Sequence, residues 1–284
     1  MRKSLYVLGI ATALGLSTCD VINPEEPIPA YVHIPSFSVQ TTSDEGSASH
    51  RITEVWLTAN DQVLGAYNVP ATIPILEEGP SEIRLQAGIR DNGITLDPNI
   101  YPFYGAATFA ANLQPGEIDT LSPVVFQYAE ETQFAFIDDF EDALLAFEGI
   151  QRTETQAFEG NFSGLIELDS ATVVARAFTT VAYGNLTVNS PQVYVEMNYL
   201  SDVPVAVGIA GQPANPIFSP VTLEAGFLPS DTWNKIYFSL GGVIQEGQYS
   251  DIQIVLEAFL SSLDQLGPDG KARVYLDNIK LVHF

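Results

Sequence analysis

Short apolar runs with a period of two, interrupted every few residues by glycine, proline, asparagine or aspartate, constrain this chain more than any other feature. They recur at Tyr31–Ile34, Glu54–Thr58, Gln62–Tyr67, Ala71–Ile75, Glu82–Ile89, Tyr104–Ala110 and Val124–Tyr128, a spacing that predicts an antiparallel sandwich of about seven strands. A second set follows at Gln192–Tyr199, Val203–Ile209, Trp233–Leu240, Asp251–Phe259 and Ala272–Val282. The turn Gly267-Pro-Asp-Gly270 is expected to join the last two of these as a hairpin. Only Asp142–Phe147 and Leu256–Leu263 have the composition of helix, and neither is long enough to shape the fold. Trp233 is expected to plug the core.

The N-terminus has a separate logic. Met1-Arg2-Lys3 precedes the apolar stretch Leu5–Leu16, which is too short to span a bilayer of about 30 Å and reads as a cleaved export signal. The sole cysteine, Cys19, directly follows it and has no disulfide partner. Leu16-Ser17-Thr18-Cys19 resembles the bacterial lipobox, which implies that Cys19 becomes the acylated mature N-terminus. Several acyl chains hold a protein on a membrane without spanning it. Residues 19–29 contain Asn23-Pro-Glu-Glu-Pro-Ile-Pro29, an acidic, proline-rich tether with nothing to bury. Acidic residues behind a lipidated cysteine resemble the export tags of Bacteroidota surface lipoproteins. The expected location is therefore the outer membrane, lipid-anchored, at the cell surface or on the periplasmic face.

Two further resemblances concern the folded part. The run from Val55 to Ile89, with turns at Asn60-Asp61 and Glu78-Gly79-Pro80, is similar to the PEGA and related immunoglobulin-like modules of bacterial surface proteins. Downstream, Asp139-Phe140-Glu141, Phe158-Glu-Gly-Asn-Phe-Ser-Gly164, Trp233 and Val274-Tyr-Leu-Asp-Asn-Ile279 resemble the jelly rolls of carbohydrate-binding modules and galactose-binding-like domains. The fold class expected is all-β, an immunoglobulin-like β-sandwich over residues 30–129 followed by a jelly-roll β-sandwich over residues 134–284. The second resemblance implies adjacent first and last strands and a structural calcium, with Asp139, Glu141, Gly160, Ser163 and Asp277 as its ligands. Those carboxylates have an ordinary alternative role, capping turns through backbone amides.

Catalytic chemistry has little to work with. The three histidines, His33, His50 and His283, are scattered and read as surface or structural residues. Gly160-Asn-Phe-Ser-Gly164 lacks the spacing of a nucleophile elbow. There is no zinc-ligand spacing, phosphate loop or dinucleotide fingerprint. The chain reads as non-catalytic. It carries 11 Lys and Arg against 35 Asp and Glu; loss of residues 1–18 removes two cations and no anion, leaving a formal charge of −26. Nucleic acid and anionic lipid are poor partners for such a surface.

What remains is binding. If Val193, Val195 and Met197 face the core, then Tyr194, Glu196 and Asn198 share the opposite face as an aromatic, a carboxylate and an amide suited to a shallow sugar site. The leading expectation is a binding or structural subunit of a cell-envelope assembly with an envelope protein partner. The alternative is a surface lipoprotein that captures glycan. Metabolic labelling with an alkyne fatty acid should mark the wild-type protein and not Cys19→Ser; equal labelling of both would remove the lipid anchor.

Overall fold

Strand pairing converts the period-two pattern into a core. The computed structural model describes residues 26–94 and 98–284; the leader, Cys19 and most of the tether lie outside the described residues. The first domain contains β1 (Ala30–Ile34), β2 (Ser38–Val39), β3 (Glu54–Ala59), β4 (Gln62–Tyr67), β5 (Ala71–Ile75), β6 (Gly79–Arg90), β7 (Pro98–Ile100), β8 (Ala107–Leu113), β9 (Ile118–Thr120) and β10 (Val125–Phe126). Antiparallel β3 and β6 set Val55 beside Ala87, Leu57 beside Leu85 and Ala59 beside Ile83. All six side chains are fully buried. In-register apolar pairs of this kind are the unit of sheet stability.

Around that pair runs a five-stranded sheet in the order β4-β3-β6-β7, with β8 also on β6. Its core side meets residues from two smaller sheets, β5-β1-β9 and β10-β2. Asn60 and Asp61 both take positive φ, 45° and 65°, and make the tight β3–β4 hairpin expected there. The strand expected over Tyr104–Ala110 begins instead at Ala107, since Tyr104 leaves the sheet to bridge Tyr128.

Residues 133–284 form the second sandwich, comprising β11 (Gln133–Asp138), β12 (Phe147–Glu148), β13 (Gln151–Thr153), β14 (Ser163–Asp169), β15 (Val174–Thr179), β16 (Tyr183–Gly184), β17 (Val193–Ser201), β18 (Val205–Ala210), β19 (Val221–Phe227), β20 (Ser230–Ser239), helix α1 (Gly241–Gly247), β21 (Asp251–Phe259) and β22 (Lys271–His283). One sheet runs β13-β14-β22-β17-β20 with β11 also on β22; the other runs β12-β15-β21-β18-β19 with β16 on β21. First and last strands are therefore neighbours, and the described residues are all-β apart from short helical segments.

Three local expectations are corrected. Gly267–Gly270 is a turn, but it carries the chain from β21 in one sheet to β22 in the other, so the two strands do not pair. Asp142–Phe147 is not helical. The buried Asp138 carboxylate accepts the amides of Phe140 and Ala146 at 3.0 and 2.7 Å, and Phe147 is drawn into pairing with Thr179. Leu256–Leu263 continues β21 to Phe259 rather than forming helix. The only α-helix among the described residues is α1, hidden in sequence by three glycines. Gly241 is required there, because a Cβ would lie 1.7 Å from the Pro191 carbonyl oxygen. Among the described residues no helix is long and apolar enough to cross a membrane.

The two sandwiches share apolar contacts. Tyr194, Tyr237 and Val282 of the second belong to the buried cluster of the first. Tyr237→Ala should cost about 3–5 kcal/mol, the range for removing a large buried aromatic side chain. Trp56 and Trp233, the only tryptophans, sit in different domains. In the variant, urea unfolding followed in Trp56→Phe and Trp233→Phe backgrounds should shift the midpoint for both reporters together. Separate midpoints would show that the domains unfold independently.

Candidate binding cleft at the domain seam

The alternation in β17 holds. Val193, Val195 and Met197 enter the second core, and Tyr194, Glu196 and Asn198 take the opposite face. That face is not open to solvent, because the first domain covers it. Tyr194 is 4% exposed, Glu196 0% and Asn198 1%. The Tyr194 ring meets Tyr101 and Phe103 edge-on at 5.6 and 5.8 Å. Its hydroxyl donates to Asp91 at 3.0 Å. Asn198 accepts from the Ser49 hydroxyl at 2.9 Å. The expected sugar site on this face is thus corrected for Tyr194 and Glu196, which are sealed in the joint between domains; Asn198, also bonded across the joint, lines the cleft described below.

Glu196 is the centre of that joint. On β22 Lys280 is its cross-strand neighbour, and on β20 Tyr237 is. Lys235, two residues before Tyr237, reaches the carboxylate at 3.0 Å. From the first domain the hydroxyls of Tyr101 and Tyr128 donate to the same carboxylate oxygen, Tyr128 at 2.8 Å. Lys280 donates to the Ser47 carbonyl at 2.7 Å and to the Tyr128 hydroxyl at 3.1 Å. Burial opposes ionisation of Glu196, but the charges of Lys235 and Lys280 and the phenol of Tyr101 outweigh it and hold the carboxyl below its ordinary range. Burial, then the nearby Glu196 charge, pushes the phenols of Tyr101 and Tyr128 well up. Burial lowers Lys280 to about 8 against the upward pull of Glu196.

The exposed edge of the second sandwich closes against the first domain in the same region. β20 is an edge strand, and Asp91 forms a parallel bridge to Tyr237 while the Asn92 amide donates to the Tyr237 carbonyl at 2.9 Å. The Arg51 amide donates to the Tyr237 hydroxyl, also at 2.9 Å. A sheet edge is a row of unpaired backbone groups, and here a neighbouring domain satisfies part of it.

The calcium candidates are placed as follows. Asp139, Glu141, Gly160 and Asp277 line one recess of about 280 Å³ together with Ser43, Gly46 and Asn278. Ser163 does not join them; it is buried and its hydroxyl donates to the Gln156 carbonyl. Glu141 accepts the amides of Asn161 and Phe162 at 2.7 and 2.9 Å, which lower its pKa. Asp277 accepts those of Phe158, Glu159 and Asn278 at 2.9, 3.2 and 2.8 Å, yet burial raises it to about 6. Asp139 accepts the Glu141 amide at 3.1 Å. Among the described residues no three His, Cys, Asp or Glu side chains are grouped to hold a metal ion. As placed, the carboxylates cap turns; a calcium ion there would need six to eight oxygens to converge.

A solvent-facing cleft opens where the seam meets the β20 edge. One lobe, about 520 Å³, is walled by Phe158, Glu159, Trp233, Asn198, Asn234, His50 and Arg51. Trp233 does not plug the core; half-buried, it stands edge-to-face with Phe158 at 5.8 Å, and Phe158 is 36% exposed. A second lobe, about 500 Å³, shares Arg51, Asn234 and Lys235 with the first and adds Arg90, Tyr199 and Phe227. Tyr199 and Phe227 stack at 4.0 Å, and Asn234 donates to the Tyr199 hydroxyl at 3.2 Å. His50 is half-buried with its pKa lowered by burial and by Lys235, so it faces the cleft as a neutral ring. The cleft thus combines aromatic faces, planar amides and an exposed guanidinium. Of its walls only Asn198 was named from the sequence as a ligand group, since the residues from the first domain arrive through the joint.

No family model matches the chain, and no curated protein does. Solved structures do. The C-terminal family 22 carbohydrate-binding module of Clostridium thermocellum Xyn10B is 11% identical with a TM-score of 0.37, over 53% of this chain and 94% of that one. The xylan-binding domain of Paenibacillus barcinonensis Xyn10C is 12% identical with a TM-score of 0.37, over 52% and 99%. A β-sandwich carbohydrate-binding module described for promiscuous specificity is 14% identical with a TM-score of 0.34, over 80% and 84%. Likenesses at these TM-scores carry no argument for a ligand, which has to come from the cleft itself.

The buried lysine gives this region a measurable pH dependence. Between pH 8 and 10.5 the folded chain has lost the Lys280 proton while the unfolded chain keeps it, so stability rises with pH across that window. Urea unfolding of wild type and Lys280→Met at pH 7.5 and pH 10 should show the difference moving in favour of wild type by about 2 kcal/mol. A flat or opposite trend would mean that Lys280 keeps its proton through this range.

Proposed function

We propose that the chain is a non-catalytic, glycan-binding lipoprotein of the cell envelope, of the Bacteroidota surface type, held at the outer membrane through Cys19 with the seam cleft as its binding site. The observation that carries this reading is the partly exposed Phe158–Trp233 pair beside Asn198, Asn234 and Arg51 in one open lobe. A pyranose ring has apolar faces that stack on aromatics and an equator of hydroxyls that hydrogen-bond to planar amides, carboxylates and guanidinium groups. Flat walls with planar polar groups along the rim suit such a ligand. A membership in a larger envelope assembly is compatible with the same architecture, because the two sandwiches are bonded across one seam that leaves their outer surfaces available to a protein partner.

Screening the purified mature chain on a polysaccharide panel by affinity electrophoresis should identify a retarding glycan. Trp233→Ala should weaken that interaction at least tenfold while leaving the unfolding free energy within about 1 kcal/mol of wild type, since the side chain is partly exposed and lies outside both buried clusters. Retention unchanged in Trp233→Ala would place the site elsewhere. Pull-down from gently solubilised envelopes separates the assembly reading, because a protein partner that stays bound to Trp233→Ala docks outside the cleft.

A further inference from the structure

The second lobe of the cleft contradicts the charge of the molecule around it. Acidic residues outnumber Lys and Arg by 35 to 11 in the chain, yet among the described residues the wall of this lobe holds Arg51, Arg90 and Lys235 and no carboxylate. Two of the cations are compensated from behind. Glu54, 2% exposed, meets Arg90 at 3.0 Å, and Glu196, fully buried, meets Lys235 at 3.0 Å. Neither carboxylate faces the lobe. Arg51 is exposed, and among the described residues no carboxylate lies within ion-pair distance of its guanidinium. Its backbone, by contrast, is fixed by the amide bond to the Tyr237 hydroxyl.

The remaining wall offers an apolar rim and amides. Leu228 stands 74% exposed at the rim over the buried Phe227–Tyr199 stack, and Asn92 and Asn234 supply amides. An exposed guanidinium on a fixed backbone beside an apolar rim selects a planar anion attached to a ring, because a carboxylate accepts two parallel N–H bonds from arginine. We propose that this lobe holds a uronic acid residue of an acidic glycan, its carboxylate received by Arg51. The inference rests on the glycan reading of the cleft and narrows it to a carboxylate-bearing polymer. Densely charged polyphosphates fit poorly, since their many charges meet the acidic surface outside the lobe, whereas a uronate brings one charge per sugar to the place where the cations are.

The experiment is isothermal titration of the purified mature chain at 0.15 M salt with polygalacturonate and alginate fragments, each beside its carboxyl-reduced, neutral counterpart. The expected result is at least tenfold tighter binding of one uronate polymer than of its reduced form, with Arg51→Gln abolishing that preference by weakening the uronate polymer far more than the reduced one. Thermal melting of Arg51→Gln should match wild type, since only the exposed side chain changes. Equal binding of charged and reduced polymers overturns the uronate inference and leaves the glycan reading standing. Binding confined to a neutral glycan and lost in Trp233→Ala has the same meaning. If no glycan shows Trp233-dependent binding, both fall.

Discussion

A single carboxylate decides how the two sandwiches sit together. Glu196 is fully buried between them, and burying an uncompensated carboxylate costs several kcal/mol even after relaxation. The chain offsets that cost with Lys280 from β22, Lys235 from β20 and the phenols of Tyr101 and Tyr128 from the other domain. Partners on both sides of the seam are needed, so sliding one domain over the other would strand a charge. The surrounding tyrosines and Phe103 supply the apolar area of the joint, while the carboxylate supplies its register. Whether the buried charges add net stability over an apolar joint is a separate matter from the specificity they impose.

The arrangement leaves two ammonium groups for one carboxylate. Part of the surplus is relieved where Lys280 sits, since burial brings its pKa down to about 8. The rest is expressed toward the cleft, where Lys235 lines both lobes. The positive character of the cleft therefore follows from the same constraint that joins the domains. A surface ion pair placed there would have been screened by solvent and worth little.

Much of the fold was legible because alternation is a local signal. The inward set Val193, Val195 and Met197, the Asn60-Asp61 hairpin and the adjacency of β11 and β22 follow from period, turn chemistry and the jelly-roll resemblance. What period cannot say is what covers the outward face. Tyr194, Glu196 and Asn198 had the composition of a sugar site and became a domain joint, because their partners lie about 70 to 150 residues away in sequence. A hint was available: in a chain with only 11 Lys and Arg, lysines at 235 and 280 stand inside strands rather than in loops. A strand lysine that is buried needs an opposite charge, which Glu196 supplies. Trp233 misled for a related reason, since a tryptophan near the start of an edge strand can stand at the seam without entering the core.

The cleft inherits its geometry from the joint, which bears on how tightly it can hold a ligand. Arg51, His50 and Ser49 come from one domain, Phe158, Trp233 and Asn234 from the other, and a hinged pair of domains would have to order them on binding. Here the Ser49–Asn198, Arg51–Tyr237 and Asn92–Tyr237 hydrogen bonds already fix the two walls. The entropic cost of assembling the site is met during folding rather than on binding. The overall negative charge then acts at a different range. It slows the approach of an acidic polymer over distances that salt largely screens beyond about 8 Å, whereas the contact between a carboxylate and Arg51 lies well inside that length. The net negative charge of the chain and the local cations of the cleft therefore act at different ranges, and the second decides what is held in contact.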